Sequence, residues 1–232
     1  MLREHINLYV GFDEREEFGS HTFVSSVLHH CSLPVKICHI GEALFGRVPG
    51  FEQRDGTNAF TYARFLIPFL EGYRGWAMFC DGADMIVRAD LAELWEMRNP
   101  YMDVHVVKHT YDTKHPRKYV GTAMESENRN YACKNWSSVM LINCANSAWN
   151  RVRPDTMHQF TGADLHQFKF IEPSRIGELP RAWNWLAEEF GENKDAKLLH
   201  WTAGIPAFPR YAQSPMADDW ASAALKVTHV TK

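Results

Sequence analysis

Apolar residues along this chain come in short runs, each closed by a polar or turn-forming group. Ile6 to Phe12 is nearly unbroken apolar sequence of strand length, the pattern of a strand buried on both faces. Asp13 ends it, and Glu16, three residues on, has capping-box spacing. Phe18, Phe23, Val24, Val27 and Leu28 then fall on one face of a predicted helix. It should close at His29 and His30, where imidazolium suits the negative helix end. Pro34 blocks continuation, and Val35 to Ile40 reads as a second strand. A strand–helix–strand opening predicts a parallel sheet.

Gly41 to Asn58 reads as a loop, punctuated by Gly46, Pro49, Gly50 and Gly56. Phe60 to Leu70 reads as a helix that Pro68 kinks or ends. Gly75 to Cys80 and Met85 to Val87 are strands, and Asp90 with Glu93 caps a short helix to Met97. Val104 to Val107, Ser137 to Cys144 and Leu198 to Trp201 are further strands. Pro154 to Phe160 and Asp218 to Lys226 are short helices. Lys108 to Asn135 has no clear period and carries Lys108, Lys114, Arg117, Lys118, Arg129 and Lys134. Long structureless loops in compact domains are usually functional, and this one reads as a lid over an anionic ligand. No repeat or linker divides the chain, so residues 1–232 form one expected domain.

Composition adds little beyond exclusions. The 232 residues are 45% hydrophobic and 23% charged, with a net charge of −3, which gives no electrostatic case for nucleic acid. The five cysteines are odd in number and include no Cys-x-x-Cys pair, against a disulfide framework or zinc knuckle. Cys38, Cys80 and Cys144 lie in apolar runs and read as buried, in a reducing, cytoplasmic setting. Met1 to His5 is charged and precedes only a strand-length apolar run, so no leader is expected. No uncharged run nears the ~20 residues of a membrane span, so any membrane association is expected to be peripheral.

Chemistry concentrates in Phe79 to Leu91, where an apolar run stops at Asp81-Gly82-Ala83-Asp84. In open α/β sheets, ligands bind outside the carboxyl ends of strands. Asp-Gly is also a common turn pair, but two such aspartates can hold a hard divalent cation. That cation can carry a diphosphate and stabilise it as a leaving group. His200 closes the last strand and is a candidate third ligand, imidazole suiting Mn, Fe or Zn better than Mg. Asp13 sits at a strand end where a base or ribose could lie. Arg64 suits phosphate or sugar oxygens. Trp183-Asn184-Trp185 offers aromatic faces to a sugar, or simply core.

Taken together, Tyr9-Val10-Gly11-Phe12-Asp13, Thr61 to Pro68, Asp81 to Leu91, Trp136 to Asn143, Leu179 to Asn184 and Leu199-His200-Trp201-Thr202 resemble the GT-A glycosyltransferases. The likeness is closest to the family-eight-like group and runs from Tyr9 to about Phe208. It implies an α/β fold, a GT-A-like α/β/α sandwich around a mixed, mainly parallel sheet. It implies a hexosyltransferase-like enzyme using Mn²⁺ or Mg²⁺ and a nucleotide sugar, a UDP-sugar, with retention. Asp84 and His200 would ligate the metal with Asp81. Tyr9, Asp13, Arg64 and Asp81 would contact the donor, and Asp84, Arg64 and Glu172 would serve catalysis. The acceptor, whether glycan, lipid-linked sugar, protein or small molecule, is not legible.

The chain departs from the family at three points. One extra residue separates Asp81 from Asp84, where the usual motif is Asp-x-Asp. The lysine that often follows the late histidine is replaced by Gly204-Ile205-Pro206-Ala207-Phe208. Glu172-Pro173 stands where an aspartate–glutamine pair is common. Two other readings follow: a degenerate GT-A domain that binds sugars or partners without catalysis, and a metal-dependent phosphohydrolase or nucleotidyltransferase.

Overall fold

The computed structural model describes residues 4–41, 58 and 60–228; most of the expected Gly41–Asn58 loop lies outside them. The first apolar run forms β1 (Ile6–Gly11), buried almost throughout. Asp13 leaves it in extended backbone and accepts a bond from the Arg15 amide, starting a 3₁₀ turn, Glu14–Glu16, that runs into α1 (Glu17–His30). The Asp13 side chain thus caps at Arg15, one residue short of the capping-box partner Glu16. The Glu16 amide donates to the Asp13 backbone carbonyl, and the Glu16 side chain is buried.

The stripe that α1 buries also differs from the expected one. Phe23 and Val27 are in the core, whereas Phe18 and Leu28 are exposed. Gly19, Ser20, Thr22 and Ser26 complete the buried face, so small residues, not large apolar ones, set how closely this helix sits.

β2 (Val35–Ile40) pairs parallel with β1, as the strand–helix–strand pattern requires. The segment around Arg64 is a 3₁₀ turn, Ala63–Leu66, that passes into α2 (Ile67–Leu70). Pro68 neither kinks nor ends it. It lies in the first turn of α2, where a missing N–H costs nothing. Next come β3 (Trp76–Cys80), β4 (Met85–Val87) and α3 (Leu91–Trp95). Asp90 caps α3, accepting from the Ala92 amide at 2.9 Å and the Ser32 amide at 3.0 Å.

The second half holds β5 (Val104–Val106), the hairpin β6 (Arg117–Lys118) and β7 (Ser126–Glu127), and β8 (Val139–Asn143). Only a 3₁₀ turn, Met157–Gln159, forms within Pro154–Phe160. α4 (Gly162–His166), β9 (Ile176–Glu178), β10 (Trp185–Leu186), α5 (Ala187–Phe190), β11 (Leu198–His200) and α6 (Ala217–Thr228) complete the chain.

Six strands form the central sheet in the order β2-β1-β3-β8-β5-β9. Only β8 runs against its neighbours, β3 and β5, so the sheet is mixed and mainly parallel. Strand alternation divides the core between its faces. Ala77 and Phe79 of β3 join Tyr9, Phe65 and Trp149 on one side; Met78 and Cys80 join Leu8, Phe23 and Trp183 on the other. A three-stranded sheet, β10-β11-β4, lies beyond the end of β3, and Trp201 and Trp220 anchor a third cluster there. Cys80 and Cys144 are buried as expected, while Cys38, on the edge strand β2, is half-buried. Among the described residues no helix is long and apolar enough to cross a membrane.

Candidate active site

The site begins where β3 stops. The Asp81 amide donates to the Ser138 carbonyl at 2.9 Å, and the Met85 amide closes back on the Gly82 carbonyl at 2.9 Å. Gly82 makes this turn feasible. Its φ is +91°, and a Cβ there would stand 2.4 Å from Val10 Cγ1. The turn absorbs the extra residue between the aspartates. β4 then pairs antiparallel with β11, placing His200 opposite Met85, and the Trp201 amide donates to the Asp84 carbonyl at 2.8 Å. One ligand atom from each of Asp81, Asp84 and His200 thereby lies within 4.8 Å of the others.

His200 is held by a chain of polar contacts. Its Nδ1 is 2.9 Å from Asn184 Oδ1. Asn184 Nδ2 donates to Ser138 Oγ at 2.8 Å and to the Asn135 carbonyl at 3.2 Å. Those acceptors fix the amide, so its oxygen faces Nδ1 and the hydrogen belongs on Nδ1. Nε2 is then turned to Asp84 Oδ2, 3.2 Å away. This is how a metal-ligating imidazole is oriented by an outer partner. Asp84 Oδ1 is buried and has no hydrogen-bond partner.

Arg64 is buried on the 3₁₀ turn before α2, its guanidinium against the rings of Phe60 and Phe79. It ion-pairs with Asp81 and donates to the Ser137 carbonyl at 3.1 Å. Asp13 is buried and takes both its oxygens to Arg15, at 2.8 and 2.5 Å.

Two carboxylates that the local pattern hid complete the acidic cluster. Glu16 is 2% exposed and its Oε1 is unpartnered. Burial, then the charges of Asp84 and Asp13, push its carboxyl up to about 8. Burial also pushes Glu188 up to about 8, with the Ala203 amide and His200 opposing and Asp84 adding. Asp81 is pushed up to about 6 by burial, against the pull of Arg64 and with the push of Asp84. Burial disfavours a charged His200, but Asp84, through charge and hydrogen bond, and Asp81 together raise its pKa.

The Lys108–Asn135 segment is folded down onto this cluster. Thr113 and the Lys114 amide donate to Glu189, the Tyr119 amide donates to the Ala203 carbonyl at 2.6 Å, and the Val120 amide donates to the Tyr211 hydroxyl at 2.9 Å. Lys118 of β6 thereby reaches the carboxylates. Burial lowers its pKa, while Asp84, Asp81 and Glu16 raise it. It lines a cavity of about 100 Å³ with Arg64, Asp81, Asn135 and Ser137.

Other expected residues lie elsewhere. Tyr9 is in the core, its hydroxyl donated to Glu71 at 2.6 Å, and is not drawn into the carboxylate cluster. Glu172 lies farther still from the carboxylate cluster. It is exposed, just before the 3₁₀ turn that enters β9 beside Val104. The acidic cluster lies at the opposite end of the sheet, where Val139 pairs with Cys80. Trp183 is fully buried core, and the half-buried Trp185 donates Nε1 to the Gly191 carbonyl at 2.8 Å. Asn184 between them, rather than either ring, reaches the site.

These shifts set a pH dependence for the metal-free protein. Glu16, Glu188 and Asp81 bind protons more tightly folded than unfolded, so they destabilise the fold as they ionise. Their unfolded values lie near 4, but below about pH 6.5 the buried His109 and His166, whose pKa values burial holds down to about 3, act the other way, so stability is expected to fall as pH rises from about 6.5 to 8. The raised His200 acts in the same direction, whereas lowered Lys118 opposes it. Melting curves in a chelator across that range check this, and Glu16→Gln should flatten the slope. A midpoint that rises from about pH 6.5 to 8 would contradict the burial of these acids.

The sheet order and the carboxylate–histidine turn define the GT-A class of fold. LgtC, a galactosyltransferase solved with donor and acceptor sugar analogues, superposes with a TM-score of 0.60 at 13% identity, over 98% of each chain. WbbM, a bifunctional glycosyltransferase, gives 0.65 at 15% identity over 97% of this chain, which spans half of WbbM's length. GlyE of Streptococcus pneumoniae TIGR4, also a glycosyltransferase, gives 0.62 at 13% identity over 97% of this chain and 62% of GlyE. No family model matches the chain. Protein CDI of Arabidopsis thaliana is 32% identical over 229 residues, covering 94% of this chain and 85% of that protein. The chain belongs to the Protein CDI family.

Proposed function

We propose that this protein is a metal-dependent glycosyltransferase. It moves a sugar from a nucleoside-diphosphate donor, a UDP-sugar, to an acceptor with retention of anomeric configuration. One observation carries the reading: Asp81, Asp84 and His200 converge, and Asp84 Oδ1 is buried without a partner. A buried carboxylate oxygen with nothing to accept is costly. A cation is the partner that best relieves it, and two carboxylates with one imidazole suit Mn²⁺ better than Mg²⁺. The LgtC, WbbM and GlyE likenesses support the class of reaction through the fold, and retention follows from the family-eight-like resemblance.

Asp84, His200 and Asp81 would hold the cation, which when bound supplies Lewis-acid stabilisation to the leaving diphosphate. The chain's own residues do the rest. Asn184 keeps His200 Nε2 pointed at the ligand position. Arg64 and Lys118 place positive charge beside Asp81, where negative charge grows as the sugar–phosphate bond breaks. Asp13, at the end of β1, is the candidate nucleotide contact. The folded-down hairpin limits water at the reacting centre.

The test is a thermal-shift panel of nucleotides and nucleotide sugars with Mn²⁺ or a chelator. A uridine nucleotide with Mn²⁺ is expected to stabilise the protein by about 2.7 kcal/mol at a hundredfold excess over its dissociation constant. The chelator should remove that shift. Silence from every nucleotide at millimolar concentration would sink the donor assignment and favour the binding-only reading. Product NMR with an inverted anomeric centre would overturn retention alone.

A further inference from the structure

A second cavity, of about 220 Å³, opens beside the first. Lys118, Tyr131 and Asn135 line both. Thr202, two residues beyond His200, forms part of the wall of the second. Its charge is one-sided. Among its lining residues Lys118, Arg129 and Lys134 outnumber a single carboxylate, Glu127, which is already paired with Arg129; Lys118 also answers the Asp81, Asp84 and Glu16 carboxylates.

Lys134 is the informative member. It is 6% exposed. An ammonium has three donors, and the protein supplies two acceptors, Asn128 Oδ1 at 2.6 Å and the Arg129 carbonyl at 2.7 Å. Both acceptors are neutral; the Tyr131 ring, 5.7 Å from Nζ, and the charge of Glu189 attract the ammonium, but its third donor has no anionic hydrogen-bond partner. The Thr202 hydroxyl is also buried without a partner. A neutral sugar hydroxyl would serve Thr202 but leave the ammonium without an anionic partner. An anion serves both.

We propose that this cavity is an acceptor subsite for an anionic group, so that the acceptor carries a phosphate or a carboxylate near the hydroxyl that receives the sugar. The inference rests on the glycosyltransferase reading. The donor's diphosphate has its own partners on the other side of Lys118, at Arg64 and the Asp81–Asp84–His200 set. Burial and Lys118 pull the Lys134 ammonium down to about 8, and a bound anion would hold it charged.

The experiment is calorimetric titration of the 232-residue chain with inorganic phosphate, with and without saturating UDP and Mn²⁺. Phosphate is expected to bind wild type and to remain bound when UDP is present. Lys134→Gln should weaken phosphate by about tenfold, as expected for loss of a charge-assisted contact, and leave UDP affinity nearly unchanged. Should Lys134→Gln fail to fold, Arg129→Ala still decides the matter. Arg129 is 82% exposed, and its loss should weaken phosphate by about threefold. Unchanged phosphate binding in the folded variants would overturn the subsite. Displacement of phosphate by UDP would assign the cavity to the donor's diphosphate instead. A nucleotide uronate that competes with phosphate and depends on Lys134 would assign the anion to the donor sugar. UDP binding without phosphate binding removes this inference alone. Phosphate binding without any nucleotide binding removes the transferase reading, and the acceptor assignment with it.

Discussion

Asp84→Asn is expected to abolish transfer and leave the metal-free protein at least as stable as wild type. The two halves of that expectation have one cause. Asp84 lies among Glu16, Asp81 and Glu188, and its charge pushes all three carboxyls towards the protonated form. Removing the charge relieves that repulsion. Asparagine keeps the shape and a polar atom for His200 Nε2, now 3.2 Å from Asp84 Oδ2. Transfer, by contrast, loses the anionic ligand that no neighbour replaces. A loss of about 4 kcal/mol of transition-state stabilisation corresponds to about a thousandfold in kcat/KM. The measurements are a melting curve in chelator and a transfer assay in Mn²⁺. If the Asp84–His200 contact were instead a structural ion pair, removing one partner would destabilise the fold by about 3–5 kcal/mol. A melting midpoint many degrees below wild type, or transfer within tenfold of it, would refute the assignment.

What the sequence disclosed was what local rules control. β1, β2 and the Asp90 cap follow from neighbours a few residues away, and they form as read. Asp81 and Asp84 were legible as chemistry, although the spacing alone could not say that Gly82 would fold the extra residue into a turn. Glu16 was hidden because a local rule explained it too well. Its backbone does take the capping position, while its side chain turns to carboxylates almost seventy residues away in sequence. Glu188 carried no local signal at all. Asn184 offered one in hindsight: a polar residue between two tryptophans in a buried segment needs a partner, and His200 is that partner. The position of Glu172 was not legible, because linear order does not tell which end of a strand a residue occupies. It precedes β9, and the site follows it. Lys118 and the hairpin had charge but no period, so the sequence marked a basic loop without saying which lysine enters the site.

Gly19→Ala is expected to destabilise the protein, against the sign that helix propensity gives. Gly19 lies inside α1, where alanine would ordinarily stabilise by about 0.5–1 kcal/mol. Here its Cβ would stand 2.2 Å from the Ala83 carbonyl oxygen and 3.0 Å from the Ala83 carbonyl carbon. Both partners are backbone, so no side chain can rotate away. Either α1 lifts off the sheet or the turn carrying Asp81 and Asp84 moves. Overpacking of this kind costs about 1–3 kcal/mol, or a fall in melting midpoint of roughly 2–12 °C for a chain of this size. Because Ala83 lies between the two aspartates, Mn²⁺ affinity should fall with it. Ser20→Ala is the matched control. Ser20 is the next residue on the same helix, buried, with a hydroxyl that has no partner. Trimming that orphan group should be neutral or stabilising and should leave metal affinity intact. A Gly19→Ala protein with an unchanged or higher midpoint would show that α1 does not brace the metal turn.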